Sequence, residues 1–239
     1  MQASGWPSVV IILNPYTKVE LRSLIERFMY RAVWKEEQAV EGLRALKLDK
    51  QAVSLVKHGR LMTAAAFHWN NNVFLYYECM DGSVQPEELA SAAMPYLKDW
   101  PGQKEPRQWI RMVDVFHFNE PASVEHWQRR HQVERRVGRV AHLKPEMVSS
   151  YIYYHYQLQE ERAFFGPKYE IIGMHENLLF GYQEFPNVTE EPVVPGRLQT
   201  KGTPENWSDS RMDLHFQPWE DGHLYFKPIE QIYAYYLGT

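Results

Sequence analysis

The sequence predicts an α+β fold made of two β-α-β-β-α-β units on one chain, with their sheets facing each other. Three observations predict it. A strand, helix, hairpin, helix, strand order of signals occurs twice in 239 residues. The motif Phe-x-Tyr-x-Glu falls at the same place in both orders, as Phe74-Tyr76-Glu78 and Phe180-Tyr182-Glu184. Each such unit, the ferredoxin-like arrangement, leaves one sheet face bare, and that face has to be covered. Two fused ferredoxin-like units can cover each other and close an intrachain α/β barrel. The halves are expected over residues 1–120 and 139–239, with a linker over 121–138.

The elements are read in order. Ser8 to Leu13 is a continuous β-branched run and reads as a buried strand. Lys18 to Lys57 reads as a helical stretch of two helices. Leu61 to His68 and Val73 to Cys79 read as a hairpin around Trp69-Asn70-Asn71-Asn72. Pro86 to Asp99 reads as a helix, with Pro near its start and acids in its first turn. Trp109 to Phe118 reads as a strand.

The second half repeats the order. Val137 to Leu143 is a strand, and Glu146 to Phe165 is a helix stopped by Gly166-Pro167. Tyr169 to Met174 and Leu178 to Phe185 make a hairpin. A Pro-rich loop over Pro186 to Gly202 precedes a short helix near Pro204 to Leu214, and Ile229 to Tyr236 is the last strand. Matching Asn14-Pro15 to Lys144-Pro145 places Leu21 and Ile25 opposite Tyr151 and His155. On that match only the second half keeps a polar pair. The basic run VEHWQRRHQVERRVGR reads as a solvated helix laced with Glu125 and Glu134 rather than a nucleic-acid patch. His126 and His131 are five apart, which does not put two ligands on one helix face.

Composition excludes several classes. Hydrophobic residues make up 44% and charged residues 23%, ordinary for a folded globular chain, and a net charge of −4 gives no pull toward nucleic acid or anionic membrane. No run approaches the roughly 20 apolar residues that span a bilayer. With one cysteine, Cys79, no internal disulfide forms, and with no signal peptide a reducing, cytoplasmic setting is expected. Gly-rich phosphate loops, Cys-x-x-Cys, His-Glu-x-x-His and Gly-x-Ser-x-Gly are all absent from the sequence.

The chemistry concentrates between Val140 and Phe185. Tyr151 and His155 are four apart on the expected helix and so share one face. A histidine titrates near neutrality and can give and take protons. Spacing alone equally allows a core histidine bonded to a carbonyl beside a packed Tyr. Tyr182 and Glu184 alternate on one strand face; the carboxylate can bind ligand hydroxyls or pair with an arginine. His142 either faces a cavity or is a satisfied buried histidine. His175, at the second hairpin tip, reads as a turn residue.

The order Lys-Pro-Glu, helical Tyr-x-x-x-His and hairpin Leu-Leu-Phe-Gly-Tyr-x-Glu resembles the L-rhamnose mutarotase family over about 45 of the 239 residues. That resemblance implies a dimeric α/β-barrel fold and a cofactor-free enzyme interconverting sugar anomers. It implies His155 as proton-transfer residue and Tyr151 as hydrogen-bond donor or co-catalyst, with Tyr182, Glu184, His142 and Trp207 around a small sugar. No metal is implied, and a homodimer is allowed. The family's Trp-Trp doublet has no counterpart here, although Trp207 falls in its region and Trp219 follows. Two other uses of the fold stand beside this one: a non-catalytic binding or scaffold protein, and a monooxygenase or haem enzyme of the same barrel type.

Overall fold

The computed structural model describes residues 25–80, 82–101 and 105–238. The expected strand Ser8 to Leu13 lies outside the described residues, as does Leu21. The described chain is mixed α/β. Its nine strands form one antiparallel, nearly closed, barrel-like sheet in the order β4-β1-β3-β2-β9-β6-β8-β7-β5.

The first half starts with β1 (Glu26–Val33), where a helix was expected. Its residues are mostly buried on both faces, because one face meets helices and the other meets the barrel interior. A strand of that kind shows no clean alternation of apolar and polar residues, so ERFMYRAV does not announce itself. Helices α1 (Ala39–Leu48) and α2 (Gln51–Lys57) follow. The hairpin β2 (Leu61–Trp69) and β3 (Asn72–Cys79) is as expected, with Asn70 at φ 50° in its turn. The expected helix from Pro86 shortens to α3 (Pro86–Leu89) and a 3-10 segment over Ser91–Tyr96. The strand expected from Trp109 to Phe118 splits into β4 (Ile110–Arg111) and β5 (Val113–His117).

In the second half, β6 (Arg135–His142) leads into α5 (Val148–Glu161), which ends at Arg162 in the left-handed region. The hairpin β7 (Ile171–His175) and β8 (Leu178–Phe185) follows. The segment from 186 to 226 carries only short 3-10 turns, Trp207–Ser210 and Met212–Leu214, before β9 (Lys227–Tyr236). Among the described residues no helix is long and apolar enough to cross a membrane.

Two segments close the sheet. Strand β4 pairs with β1 through Tyr30 and Arg111, and β5, one residue later, pairs with β7 through Val113 and Met174. Strand β9 behaves alike: it pairs with β6 at Gly138 and Ile229, then with β2 from Glu230 to Tyr236. Each segment therefore begins on one half and ends on the other, and the halves are stitched by main-chain hydrogen bonds.

The barrel interior is filled. Strands β3 and β8 face each other across it, and the repeated motif meets in layers. Phe74 and Phe180 stack at 4.8 Å, and Tyr76 and Tyr182 at 3.9 Å. The third layer is ionic. Arg129 donates to both oxygens of Glu78 at 2.5 and 2.8 Å and to both oxygens of Glu184 at 2.9 Å. The hydroxyls of Tyr76 and Tyr182 each donate to the glutamate beside them at 2.6 Å. Arg129 comes from the basic run that reads as a solvated helix. Only Val124–Trp127 of that run is helical (α4), and Trp127 and Arg129 are both buried at the barrel end. Glu125, Gln128, Arg130, His131, Gln132, Glu134 and Arg135 of the run are exposed, while Trp127 and Arg129 turn inward and plug the barrel end.

The two halves also share an offset. Glu26 and Arg135 open β1 and β6, Ala39 and Val148 open α1 and α5, and both pairs are 109 residues apart. At that spacing Tyr151 and His155 of α5 fall where α1 has Gly42 and Leu46, whereas Leu21, which the Asn14-Pro15 match sets opposite Tyr151, lies outside the described residues. Ile25 instead packs with Met62, Trp127 and Tyr169.

Candidate functional site

Helix α5 lies over the outer face of the second half-sheet, and the 186–226 segment straps over both. Between them is a cavity of about 780 Å³. Tyr151, His155 and Trp207 all line it, as the sequence suggests for these three. Aromatic and aliphatic side chains form most of the wall, among them Phe116, Leu158, Ile172, Phe216 and Phe226.

The 3.6-residue period of α5 stacks the Tyr151 and His155 rings at 3.9 Å. His155 Nδ1 lies 2.9 Å from the Tyr151 carbonyl, so Nδ1 carries the proton and donates. Nε2 is left as the acceptor, without a hydrogen-bond partner among the described residues. The ring sits edge-on to Phe116 at 5.1 Å and to Trp207 at 5.4 Å. Burial among these groups lowers the His155 pKa to about 4, against the smaller opposing effect of its carbonyl bond. At neutral pH it is a neutral imidazole with a lone pair toward the cavity.

Tyr151 is 1% exposed, and its hydroxyl has no hydrogen-bond partner among the described residues. Burial raises its pKa, and Arg139 works against that. Arg139, midway along β6, pairs with Glu170 and donates from Nη1 to Gln183 at 3.0 Å. Burial raises the Glu170 pKa, offset in part by Arg139. Both Arg139 and Glu170 line the cavity. Sequence reading missed this pair; the available signal was a cation inside the apolar run Val137 to Leu143.

The other expected site residues lie elsewhere. Tyr182 and Glu184 point into the barrel, and Glu184 takes the arginine-pairing alternative through Arg129. They do not reach the cavity, since β8 residues two apart share a face and that face is the interior. His142 lies at the opposite barrel end, with ring distances of 5.6 Å to Trp69 and 5.9 Å to Trp219. His175 approaches Arg31 at 3.2 Å in a half-buried setting. Among the described residues no three His, Cys, Asp or Glu side chains gather as a metal site.

The strap is held by the end of α5. Glu161 accepts from Thr200 Oγ1 at 2.6 Å, Gly202 N at 2.6 Å and Thr203 N at 2.9 Å. Burial alone would raise its carboxyl slightly, but these donors outweigh it and lower the pKa to about 2. The Glu160 carbonyl accepts from Leu198 N at 3.0 Å.

No family model matches the chain, and no curated protein matches it. Solved structures of similar architecture include a "putative monooxygenase" from Lactobacillus acidophilus NCFM, 9% identical, TM-score 0.39, over 90% of this chain and 97% of that one. Another is a "putative monooxygenase" from Fusobacterium nucleatum subsp. nucleatum, 9% identical, TM-score 0.36, over 90% and 96%. A third, an "anthrone oxidase-like protein", is 7% identical with TM-score 0.31, over 91% and 94%. With TM-scores this low, what the cavity does has to be read from its own residues.

Proposed function

We propose that the cavity is a general-base site for a largely apolar, aromatic molecule bearing a weakly acidic group, and that the chain is a monooxygenase-type enzyme needing no redox cofactor. The observation that carries this is His155: a neutral imidazole with Nε2 free, inside an aromatic-walled cavity. Proton removal from an activated aromatic CH₂ leaves an electron-rich anion that reacts with dioxygen directly. The carbon gains one oxygen atom as a carbonyl, and the other leaves as water. His155 supplies the base, Tyr151 a donor, and Phe116, Trp207 and Phe226 the flat apolar walls.

Anomer interconversion is the second use of the same pair, with His155 as base and Tyr151 as acid. The cavity disfavours it, because Tyr182 and Glu184 are not there to hold sugar hydroxyls. Haem is the poorer fit on the chemistry of the lining, which offers carboxylates at Glu170 and Glu205 and one arginine, already paired with Glu170, to a group that carries two carboxylates of its own. We also read the halves as copies of one ferredoxin-like unit, supported by the 109-residue offset and the meeting of both Phe-x-Tyr-x-Glu motifs.

The test is oxygen uptake with a panel of anthrone, naphthols and naphthohydroquinones, beside anomer exchange by NMR with a sugar panel. Uptake that falls about 100-fold or more in His155→Ala supports the reading, that being the usual scale for one acid–base group. Exchange of a sugar that depends on His155, with no uptake, replaces it.

A further inference from the structure

We propose that Arg139 and the Tyr151 hydroxyl form a binding site for the oxyanion that develops on the substrate when His155 takes its proton. This rests on the general-base reading and adds the groups that receive the charge. The proton moves from a substrate O–H, or from a C–H beside a carbonyl, to His155 Nε2. The electron pair left behind settles on the substrate oxygen, and nothing is oxidised or reduced in that step.

Three observations place the site. Arg139 is held rather than free. Its Nη1 donates to Gln183 at 3.0 Å, Nη2 meets Glu170, and the guanidinium lies 4.9 Å over the Phe226 ring. Its Nε is buried without a hydrogen-bond partner. A cation fixed in that way needs no reorganisation when charge appears beside it. Glu170 is then a positioning residue.

Room for the arginine is provided by a missing side chain. Gly181 is the ladder partner of Arg139 across β6 and β8. A Cβ at Gly181 would stand 2.9 Å from Arg139 Nε and 3.1 Å from its Cγ. The arginine stem lies in the space that any other residue would fill. The corresponding pair of the first half is Tyr30 and Leu75, ladder partners across β1 and β3. That pair carries no charge.

Tyr151 completes the site. Its hydroxyl is within electrostatic range of Arg139 and Glu170, and nothing among the described residues satisfies it. Tyr151 lines the cavity together with Arg139, so a ligand oxygen or a water there can take its hydroxyl as a donor. A half-buried ion pair is a poor source of stability, and the first half shows that the fold holds with apolar residues in these places. Donors kept in an apolar wall against their desolvation penalty fit a ligand's charge better than they fit the scaffold.

The test uses 2-naphthol, whose neutral and ionised forms absorb differently, and 2-methoxynaphthalene, which cannot ionise. Titration of bound 2-naphthol should show its pKa lowered by one unit or more, an anion held at least tenfold tighter than the neutral form. Arg139→Gln should abolish the shift while changing methoxynaphthalene affinity less than about threefold. Gly181→Ala, which moves no charge but crowds Nε, should shrink it, and Tyr151→Phe should remove part of it. If Arg139→Gln does not fold, the pair Arg139→Gln with Glu170→Gln leaves no lone charge and tests the same point. Binding of both probes with no acid shift in the wild type, or a shift that survives Arg139→Gln, overturns the oxyanion site and leaves the aromatic cavity standing. Binding of neither probe overturns both.

Discussion

The helix–sheet interface of the first half is packed shut, and that of the second half is open. Trp34, Leu46, Leu55 and Leu89 fill the first, with Leu46 and Trp34 fully buried. Gly42 is needed there: a Cβ would come 2.7 Å from the Trp34 ring and 2.8 Å from Tyr96. At the 109-residue offset the second half has Tyr151 for Gly42, His155 for Leu46 and Arg139 for Tyr30, and at the 106-residue spacing of Phe74 and Phe180 in the hairpins it has Glu170 for Ala64. The same strand–helix–hairpin scaffold thus supports a solid core on one side and a polar-floored cavity on the other. The difference lies in four side chains and in the strap, which covers the cavity without filling it.

The largest expected effect is on what the halves share. Arg129→Ala leaves Glu78 and Glu184 buried without their cation. Stability should fall by about 3–5 kcal/mol, the range for breaking a buried pair from one side. Urea denaturation gives the value, and a loss below about 1 kcal/mol would mean that the barrel end relaxes to admit water.

Next comes the contrast itself. Leu46→Ala should lose about 2–5 kcal/mol, as a buried leucine in a filled core does. His155→Leu, which copies the first half into the second, should stay within about 1.5 kcal/mol of wild type above pH 6.5. Equal losses at the two positions would erase the distinction between core and cavity.

The pH dependence sharpens it further. His155 has a folded-state pKa of about 4 against about 6.5 unfolded, so the unfolded chain binds the extra proton between these values. Stability contributed by neutral His155 is therefore full above pH 6.5, declines as pH falls toward 4, and levels off below. The total is on the order of 3 kcal/mol. Thermal melts across that range should show the decline in wild type and a flatter profile in His155→Leu.

The smallest effect is local. Glu161→Gln weakens the anchor of the strap at Gly202 and Thr203. Amide hydrogen exchange at those two residues should speed up while β3 and β8 stay protected. Unchanged exchange would place the strap's hold elsewhere along 197–207.

Several elements were legible from local pattern. Both hairpins follow from strand-forming runs around short polar turns, and α5 from its period, although it ends at Glu161 with Arg162 in the left-handed region rather than at the expected Gly166-Pro167 stop. The placing of Tyr151 and His155 on one face needs only 3.6 residues per turn. Strand β1 was not legible, because burial on both faces removes the alternation that marks a strand. Arg139 was visible only as an odd cation in an apolar run.

By itself, then, the sequence determined the local elements of the second half, the face shared by Tyr151 and His155, and the recurrence of Phe-x-Tyr-x-Glu in the second strand of each hairpin. Those depend on backbone period and neighbouring side chains. Only the tertiary structure decided that Glu184 belongs to Arg129 inside the barrel, that Arg139 lies over Gly181 beside Tyr151, and that one interface is full and the other hollow. Arg129 with Glu184 and Arg139 with Gly181 join residues roughly 40 or more positions apart, brought together by strand register and by two segments that cross between halves. Register is settled by the burial of whole sheet faces rather than by any short stretch of chain, and so it could not be read from one.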